Sequence, residues 1–414
     1  MSAAALAKKI DSHRIRAKDG VIEWLPFEKL PMHDSTWGLC TGVDGKIYIG
    51  ACGELIGGLS AFILSYDPVT EKLTYHAEVA PAIGEPPDNG RATQSKIHYG
   101  MIGGSDGLLY CSTHASGPPL GHPVWRPWNS WDDEKMRFPG AHIFTFNPKT
   151  NEIVDFGIGP RLEGTRALAF DEKRRKLYGI TWPRNRFYVY YVDERKYVDL
   201  GRIGDVNPQA VWLDKRGYAY TTDDNGFIIQ CDPDRDELRR LDVQCPHMSY
   251  RRGWHNVPYD VVPSPDGETF FGVDWGYENY IWEFDPRVPA IKSYGRGWGP
   301  AEWRTDRSME MHQLRGLTFG ADGKLYFTAR CGWDELQQQH LHRMNAADGS
   351  VETIGIVDWP GRREIHVASA AFDFFGNLYF AEAGVHPTSL YIYRPDSANK
   401  EKKAFSWKDV KPWG

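Results

Sequence analysis

Lys96-Ile97-His98-Tyr99-Gly100-Met101-Ile102-Gly103-Gly104-Ser105-Asp106-Gly107-Leu108-Leu109-Tyr110-Cys111-Ser112-Thr113-His114 reads as two short strands joined by a tight turn at Ser105-Asp106-Gly107. An Asp-Gly between two apolar runs is a strong short-range hairpin signal. With the turn centred on Asp106, His98 falls opposite His114. The spacing therefore predicts two imidazoles side by side across an antiparallel pair, with Cβ atoms about 5 Å apart. Two adjacent imidazoles at one end of a hairpin suit acid/base chemistry or half a metal site.

The same hairpin recurs along the chain. An apolar strand leads into an Asp-Gly or similar turn, a second strand carries an aromatic, and a third ends near Asp-Pro. Asp44-Gly45 precedes Lys46-Ile47-Tyr48, and Phe62 to Asp67-Pro68 follows. Later copies hold Lys176-Leu177-Tyr178, Tyr218-Ala219-Tyr220, Asp266-Gly267 with Phe270-Phe271, Asp322-Gly323 with Leu325-Tyr326-Phe327, and Leu378-Tyr379-Phe380. Repeats of this kind, each a small antiparallel sheet unable to bury both faces alone, predict an all-β, seven-bladed β-propeller. The ring leaves no free edge. Val21-Ile22-Glu23-Trp24 is expected to close it by pairing with the last unit. Residues 1–20 read as a peripheral segment and 21–414 as one propeller domain.

Composition fits that reading. The chain has 42 glycines and 27 prolines among 414 residues, so turns are frequent and long helices are not expected. A formal net charge of −6 without a basic run argues against a nucleic-acid backbone as partner. No stretch approaches the ~20 apolar residues of a membrane span, and the start lacks a signal-peptide core. A cytoplasmic protein with six reduced cysteines is the expectation.

In a propeller the first strand of each unit lines the central channel. His98, His255, His312 and His366 all stand at or near the starts of such strands, about ten residues before their turns. They could converge on one channel mouth as acid/base groups or as ligands of a divalent metal (Mn, Zn or Ca). His255, His312 and His366 form the candidate metal set. Arg166 begins the third inner strand, Arg184 follows the next strand beside Trp182, and Arg330 ends a second strand. A forked guanidinium there suits a carboxylate. Tyr259 and Trp128, the latter in a Trp- and Pro-rich insert, offer flat faces for a sugar ring.

Lys96-Ile97-His98 with Asp106-Gly107-Leu108-Leu109-Tyr110 and Thr113-His114 resembles the paired-histidine hairpin of seven-bladed propeller polysaccharide lyases, a group that includes the ulvan lyases and the rhamnose–glucuronate lyase of gum arabic. The resemblance implies β-elimination next to a uronic acid. It implies catalytic roles for His98 and His114, and a carboxylate-neutralising role for Arg166 or Arg184. The chain departs from the pattern where a tyrosine is expected, since Thr165-Arg166 stands there. By residue type alone, His255, His312 and His366 are similar to the metal cluster of the oligogalacturonate lyases. The expected partner is a uronate-containing oligo- or polysaccharide, with no nucleic acid and no membrane. Two other readings stay open. One is a metal-dependent oxygenase or lactonase built on the histidines, the other a non-catalytic binding propeller.

Overall fold

The computed structural model describes residues 14–54, 59–114, 117–122, 133–205, 208–246, 257–274, 280–296, 314–331, 338–357, 366–384 and 387–398. Among them the secondary structure is β-strand, with one short helix at Val79–Ala82. Five antiparallel sheets have four strands each, and a sixth has nine. In the four-stranded sheets the strands are consecutive in sequence. Gly164–Asp171, Lys176–Trp182, Arg186–Tyr191 and Lys196–Arg202 form one of them.

The nine-stranded sheet is two groups joined by a single residue pair, Ser35 with Ala383. One group runs from Ser35–Thr41 to Lys72–Glu78. The other takes His366–Phe372, Leu378–Ala383 and Ser389–Pro395 from late in the chain and Gly20–Pro26 from early in it. Gly20–Pro26 pairs along its whole length with Ser389–Pro395, as expected for a closing strand. The segment expected to be peripheral also contributes a strand, Arg14–Ala17, which adds to the outer edge of Gly20–Pro26.

The first strands of successive sheets touch one another in turn. A Cβ on Gly38 would lie 3.1 Å from Ile97, which is why that position holds no side chain. Tyr99 bridges Ala167 in parallel, and Ala167 packs in one cluster with Val211. Gln209 N–H donates to Pro258 O at 2.9 Å, and Leu317 N–H to the Asp260 carboxylate at 2.8 Å. Ser369 Oγ–H donates to Trp37 O at 3.0 Å and returns the circuit to its start. All these first strands line one cavity of about 210 Å³.

The repeat has a physical device of its own. In five of the repeats a tyrosine after the turn sends its hydroxyl back to the turn aspartate. Tyr48 donates to Asp44 at 2.8 Å, Tyr110 to Asp106 at 2.6 Å, and Tyr220 to Asp214 at 2.9 Å. Tyr326 with Asp322 and Tyr379 with Asp373 repeat it at 3.0 and 2.6 Å. The aspartate also caps the turn's backbone amides, as Asp106 does for Leu108 at 3.0 Å. Gly107 sits at φ +85°, a conformation the turn demands and side chains resist. Between sheets, buried apolar residues interlock. Tyr48, Ile63, Ile97, Met101, Leu109, Phe144 and Phe146 form one such cluster, each large side chain contributing about 1.5–3 kcal/mol of burial.

Candidate functional site

The hairpin register holds near the turn and breaks at the histidines. Met101, Ile102 and Gly103 face Cys111, Tyr110 and Leu109 as expected. Beyond them His114 pairs with Lys96 instead of His98, because the first strand fits five residues where its partner fits three. His98 therefore lies in a bulge. The two imidazoles still sit side by side, with ring centroids 5.3 Å apart.

The same irregularity places other site residues. Ser35–Thr41 carries one extra residue between Thr36 and Gly38, which is Trp37. Gly164–Asp171 carries one between Thr165 and Ala167, which is Arg166. Pro258–Pro263 carries one between Pro258 and Asp260, which is Tyr259. Bulges re-aim a side chain that strict alternation would send elsewhere. Similar shifts follow Arg315 and Val367.

Around His98 these residues make a compact polar cluster. His98 is fully buried and its ring stacks on Trp37 at 4.5 Å. Its Nδ1 lies 2.7 Å from the Arg166 carbonyl oxygen. A carbonyl only accepts, so Nδ1 carries the hydrogen and the lone pair is on Nε2. That Nε2 has no hydrogen-bond partner. Burial holds the His98 imidazole well below its ordinary pKa, and the positive charges of Arg166 and Lys96 add to the effect. His114 is held down by burial and the same two cations, against a Thr165 backbone hydrogen bond. Both are neutral near pH 7.

Lys96 is buried, with Nζ 4.0 Å from the Trp37 ring centroid and 2.8 Å from Glu54 Oε1. Trp37 Nε1–H donates to the other Glu54 oxygen. Burial lowers the Lys96 pKa, and Glu54 opposes the shift. On the far side, the Arg315 guanidinium lies 3.7 Å over the Tyr259 ring and donates to its hydroxyl. Burial raises the Tyr259 pKa, so the phenol keeps its proton, while Arg315 pulls the other way. Desolvation pushes Asp260 up to about 7, against hydrogen bonds from the Leu317, Gly316 and Val261 amides. Lys96 and Arg166 both act on the Glu54 carboxylate, while Arg315 lies near the buried Asp260.

Of the residues expected from sequence, His98, His114, Arg166 and Tyr259 belong to this cluster. Trp182 lies beside it, its ring 5.4 Å from His114. Arg184 does not join the cluster. Its side chain is 63% exposed and 3.6 Å from Glu163. Trp128, His255 and His312 lie outside the described residues, as do the side chains of Arg330 and His366. Among the described residues no group of three or more His, Cys, Asp or Glu side chains is placed to hold a metal ion. Lys96, Glu54, Trp37 and Tyr99 were not singled out in the sequence, although Lys96 and Tyr99 flank His98 within the opening stretch.

No protein-family model and no curated protein sequence matches the chain. Its fold has many relatives among solved structures. An oligogalacturonate lyase in complex with manganese aligns over 92% of this chain and 95% of its own, with TM-score 0.53 and 14% identity. The periplasmic gluconolactonase of Pseudomonas aeruginosa aligns over 82% and 92%, with TM-score 0.54 and 12% identity. The extracellular domain of a one-component system from B. thetaiotaomicron aligns over 89% of this chain at TM-score 0.55 and 13% identity, and the chain spans only 39% of that protein. WD40-repeat propellers are among the others. At these identities the likeness defines a fold, the β-propeller, and its members here include a lyase, a lactonase and WD40 domains.

Proposed function

We propose that this chain is a seven-bladed β-propeller lyase that cleaves a uronate-containing oligo- or polysaccharide by β-elimination. The observation that carries the reading is His98. Its Nδ1 hydrogen is fixed on the Arg166 carbonyl, its Nε2 lone pair has no partner, and the cationic side chains of Arg166 and Lys96 stand beside it.

The proton on C5 of a uronate is weakly acidic. Arg166, with Arg315, neutralises the adjacent carboxylate and makes its removal feasible. His98 Nε2 takes that proton. The C5–H electron pair becomes the second bond of C4=C5 as the C4–O4 bond breaks, and the departing O4 takes a proton. Neither imidazole is protonated at neutral pH, so Tyr259, a phenol held protonated next to Arg315, is the acid in this scheme. It supplies the tyrosine absent at Thr165-Arg166. His114 and Trp182 flank the sugar ring. His98 and His114 are both buried, so substrate binding must open a path to them. No step of the scheme uses a metal. The histidines expected as ligands remain candidates for one, and they would add to the neutralisation of the carboxylate.

The test is to follow the ultraviolet band of a 4,5-unsaturated uronate while the protein is incubated with a panel of uronate-containing oligosaccharides. His98→Ala and His114→Ala are run beside it, with and without chelator. A rise in wild type that both variants lose supports the scheme. The absence of a rise on every member of the panel, or a rise that both variants retain, overturns it.

A further inference from the structure

Below the histidine pair, the cavity of about 210 Å³ enclosed by the first strands holds an unusual residue. Gln209 is 1% exposed and lines this cavity. Its backbone N–H is used, donating to Pro258 O at 2.9 Å. Its side-chain Oε1 and Nε2 both lack a hydrogen-bond partner. A buried amide with neither end satisfied is costly in a folded protein, and nearly all such groups find a partner. Sequence position does not force it there, because the neighbouring residues Ala210 and Val211, which lead into the strand Trp212–Leu213, are apolar and line the same wall.

The rest of the lining says what kind of partner fits. Trp37, Tyr99 and Tyr259 supply aromatic surface, and aliphatic side chains supply most of the remainder. Asp260 and Ser369 are the other polar side chains on the wall, apart from the two tyrosine hydroxyls. Polar and apolar surface share this wall about equally, and a pocket in which a few polar groups converge is a usual form of a small-molecule site. The volume is below the ~300 Å³ at which drug-sized pockets begin, and equals that of about seven liquid waters. No cationic side chain is among the described residues that line this cavity, so nothing on its wall draws an anion. An amide pairs well with two hydroxyls at once, as donor to one and acceptor from the other. The cavity also abuts a larger one at the hairpin-turn end of the channel, about 780 Å³, with Ile102, Leu168, Val211 and Val261 lining both. The site can therefore be reached from the end away from the histidines.

We infer that the channel cavity is a binding site for a small neutral polyhydroxy compound, a single sugar ring or a polyol, held by the Gln209 amide on the wall that Trp37, Tyr99 and Tyr259 line. This goes beyond the lyase reading and does not depend on it. A chain without elimination activity would still bind the compound here.

Isothermal titration of the full chain with galactose, rhamnose and myo-inositol tests it. The expected result is saturable binding of at least one of them. Gln209→Leu should weaken that binding about tenfold or more, the loss of one to two hydrogen bonds. Gln209→Leu removes the unpartnered amide, so its thermal midpoint should be no lower than that of wild type, which shows that the variant folds. A second variant, Val211→Phe, fills the cavity from two residues further along the same segment and should abolish binding with Gln209 intact. Binding should persist in His114→Ala, which separates this site from the histidine pair. No binding of any of the three compounds overturns the inference, as does binding that Gln209→Leu and Val211→Phe leave unchanged.

Discussion

The Trp37 indole stacks on the His98 imidazole with the two planes 17° apart and the ring centroids at 4.5 Å. Tyr99 meets both rings edge-on. His98 is thus fixed by packing as well as by its bond to the Arg166 carbonyl. A ring so held keeps one tautomer and one orientation. We expect the NMR signals of His98 and His114 to stay in place between pH 8 and about 5.5, where exposed imidazoles titrate near 6.5. The sign for stability follows. Below about 6.5 the unfolded chain binds protons that these two buried sites refuse, so stability falls as pH falls, by up to about 1.4 kcal/mol per pH unit for each site. Urea midpoints of wild type and of the His98→Gln/His114→Gln double variant at pH 7.5 and 5.5 measure it. An equal slope in both proteins contradicts the assignment.

Lys96→Met removes one of the cations that depress His98 and leaves Glu54 without its amine. Glu54 is 28% exposed, so the loss is smaller than for a fully buried pair, about 1–3 kcal/mol. Where elimination activity is present, the acid limb of its pH–rate profile should move to higher pH in this variant, because His98 is more readily protonated. A limb that moves to lower pH contradicts the placement.

Arg166→Ala separates two functions of one residue. The bond that fixes His98 is to the backbone carbonyl of Arg166 and survives the change. Only the guanidinium is lost. The turnover of a uronate substrate should drop about 10²–10³-fold, with the His98 NMR signals otherwise in place. A collapse of the His98 signals together with activity would show that the side chain acts through folding.

Gly164 is the glycine that makes room for the site. A Cβ there would lie 2.3 Å from His114 Nδ1. Gly164→Ala should displace the imidazole and cut activity by at least tenfold, at a stability cost of about 1–3 kcal/mol. Activity at the wild-type level in Gly164→Ala would mean that the position of His114 does not matter to the reaction.

The turn clamp is a separate matter of stability. In Tyr110→Phe, Asp106 loses the hydroxyl at 2.6 Å, and the Arg175 guanidinium loses one of its acceptors. We expect a loss of about 1–2 kcal/mol by urea unfolding. Tyr326→Phe, whose hydroxyl bonds Asp322 at 3.0 Å and also meets Arg343, should lose a similar amount.

How much of this was legible in the sequence differs by element. The turns were, because Asp-Gly and the aromatic four residues on are local signals, and the clamp from Tyr110 to Asp106 is the physical reason for that spacing. The closing strand Gly20–Pro26 was, because its alternation matched a missing partner. His98 and His114 came from the register, which held only as far as Met101–Cys111. The rest of the site was hidden by the bulges. Trp37, Arg166 and Tyr259 each occupy the extra residue of a first strand, and a period-two pattern has no place for an extra residue. Arg166 was reached by residue type, and Trp37 was not singled out. Glu54 lies just after the strand Ile47–Cys52, and its meeting with Lys96 is a matter of two sheets that no local pattern relates. Gln209 gave no signal at all, since a lone glutamine between Pro208 and Ala210 reads as a loop residue.

The closing sheet also sets a clock on the ribosome. Gly20 and Pro395 are partners in one ladder. At about 5–20 residues per second, synthesis leaves the early strand waiting roughly 20–75 s for its mate. Throughout that interval its hydrogen-bonding edge has no native partner, and a partly made chain exposes the kind of strand that pairs with the wrong neighbour. Co-translational chaperone dependence, and misassembly when elongation is slowed between the codons of Pro26 and Ser389, are the costs this closure carries in the cell.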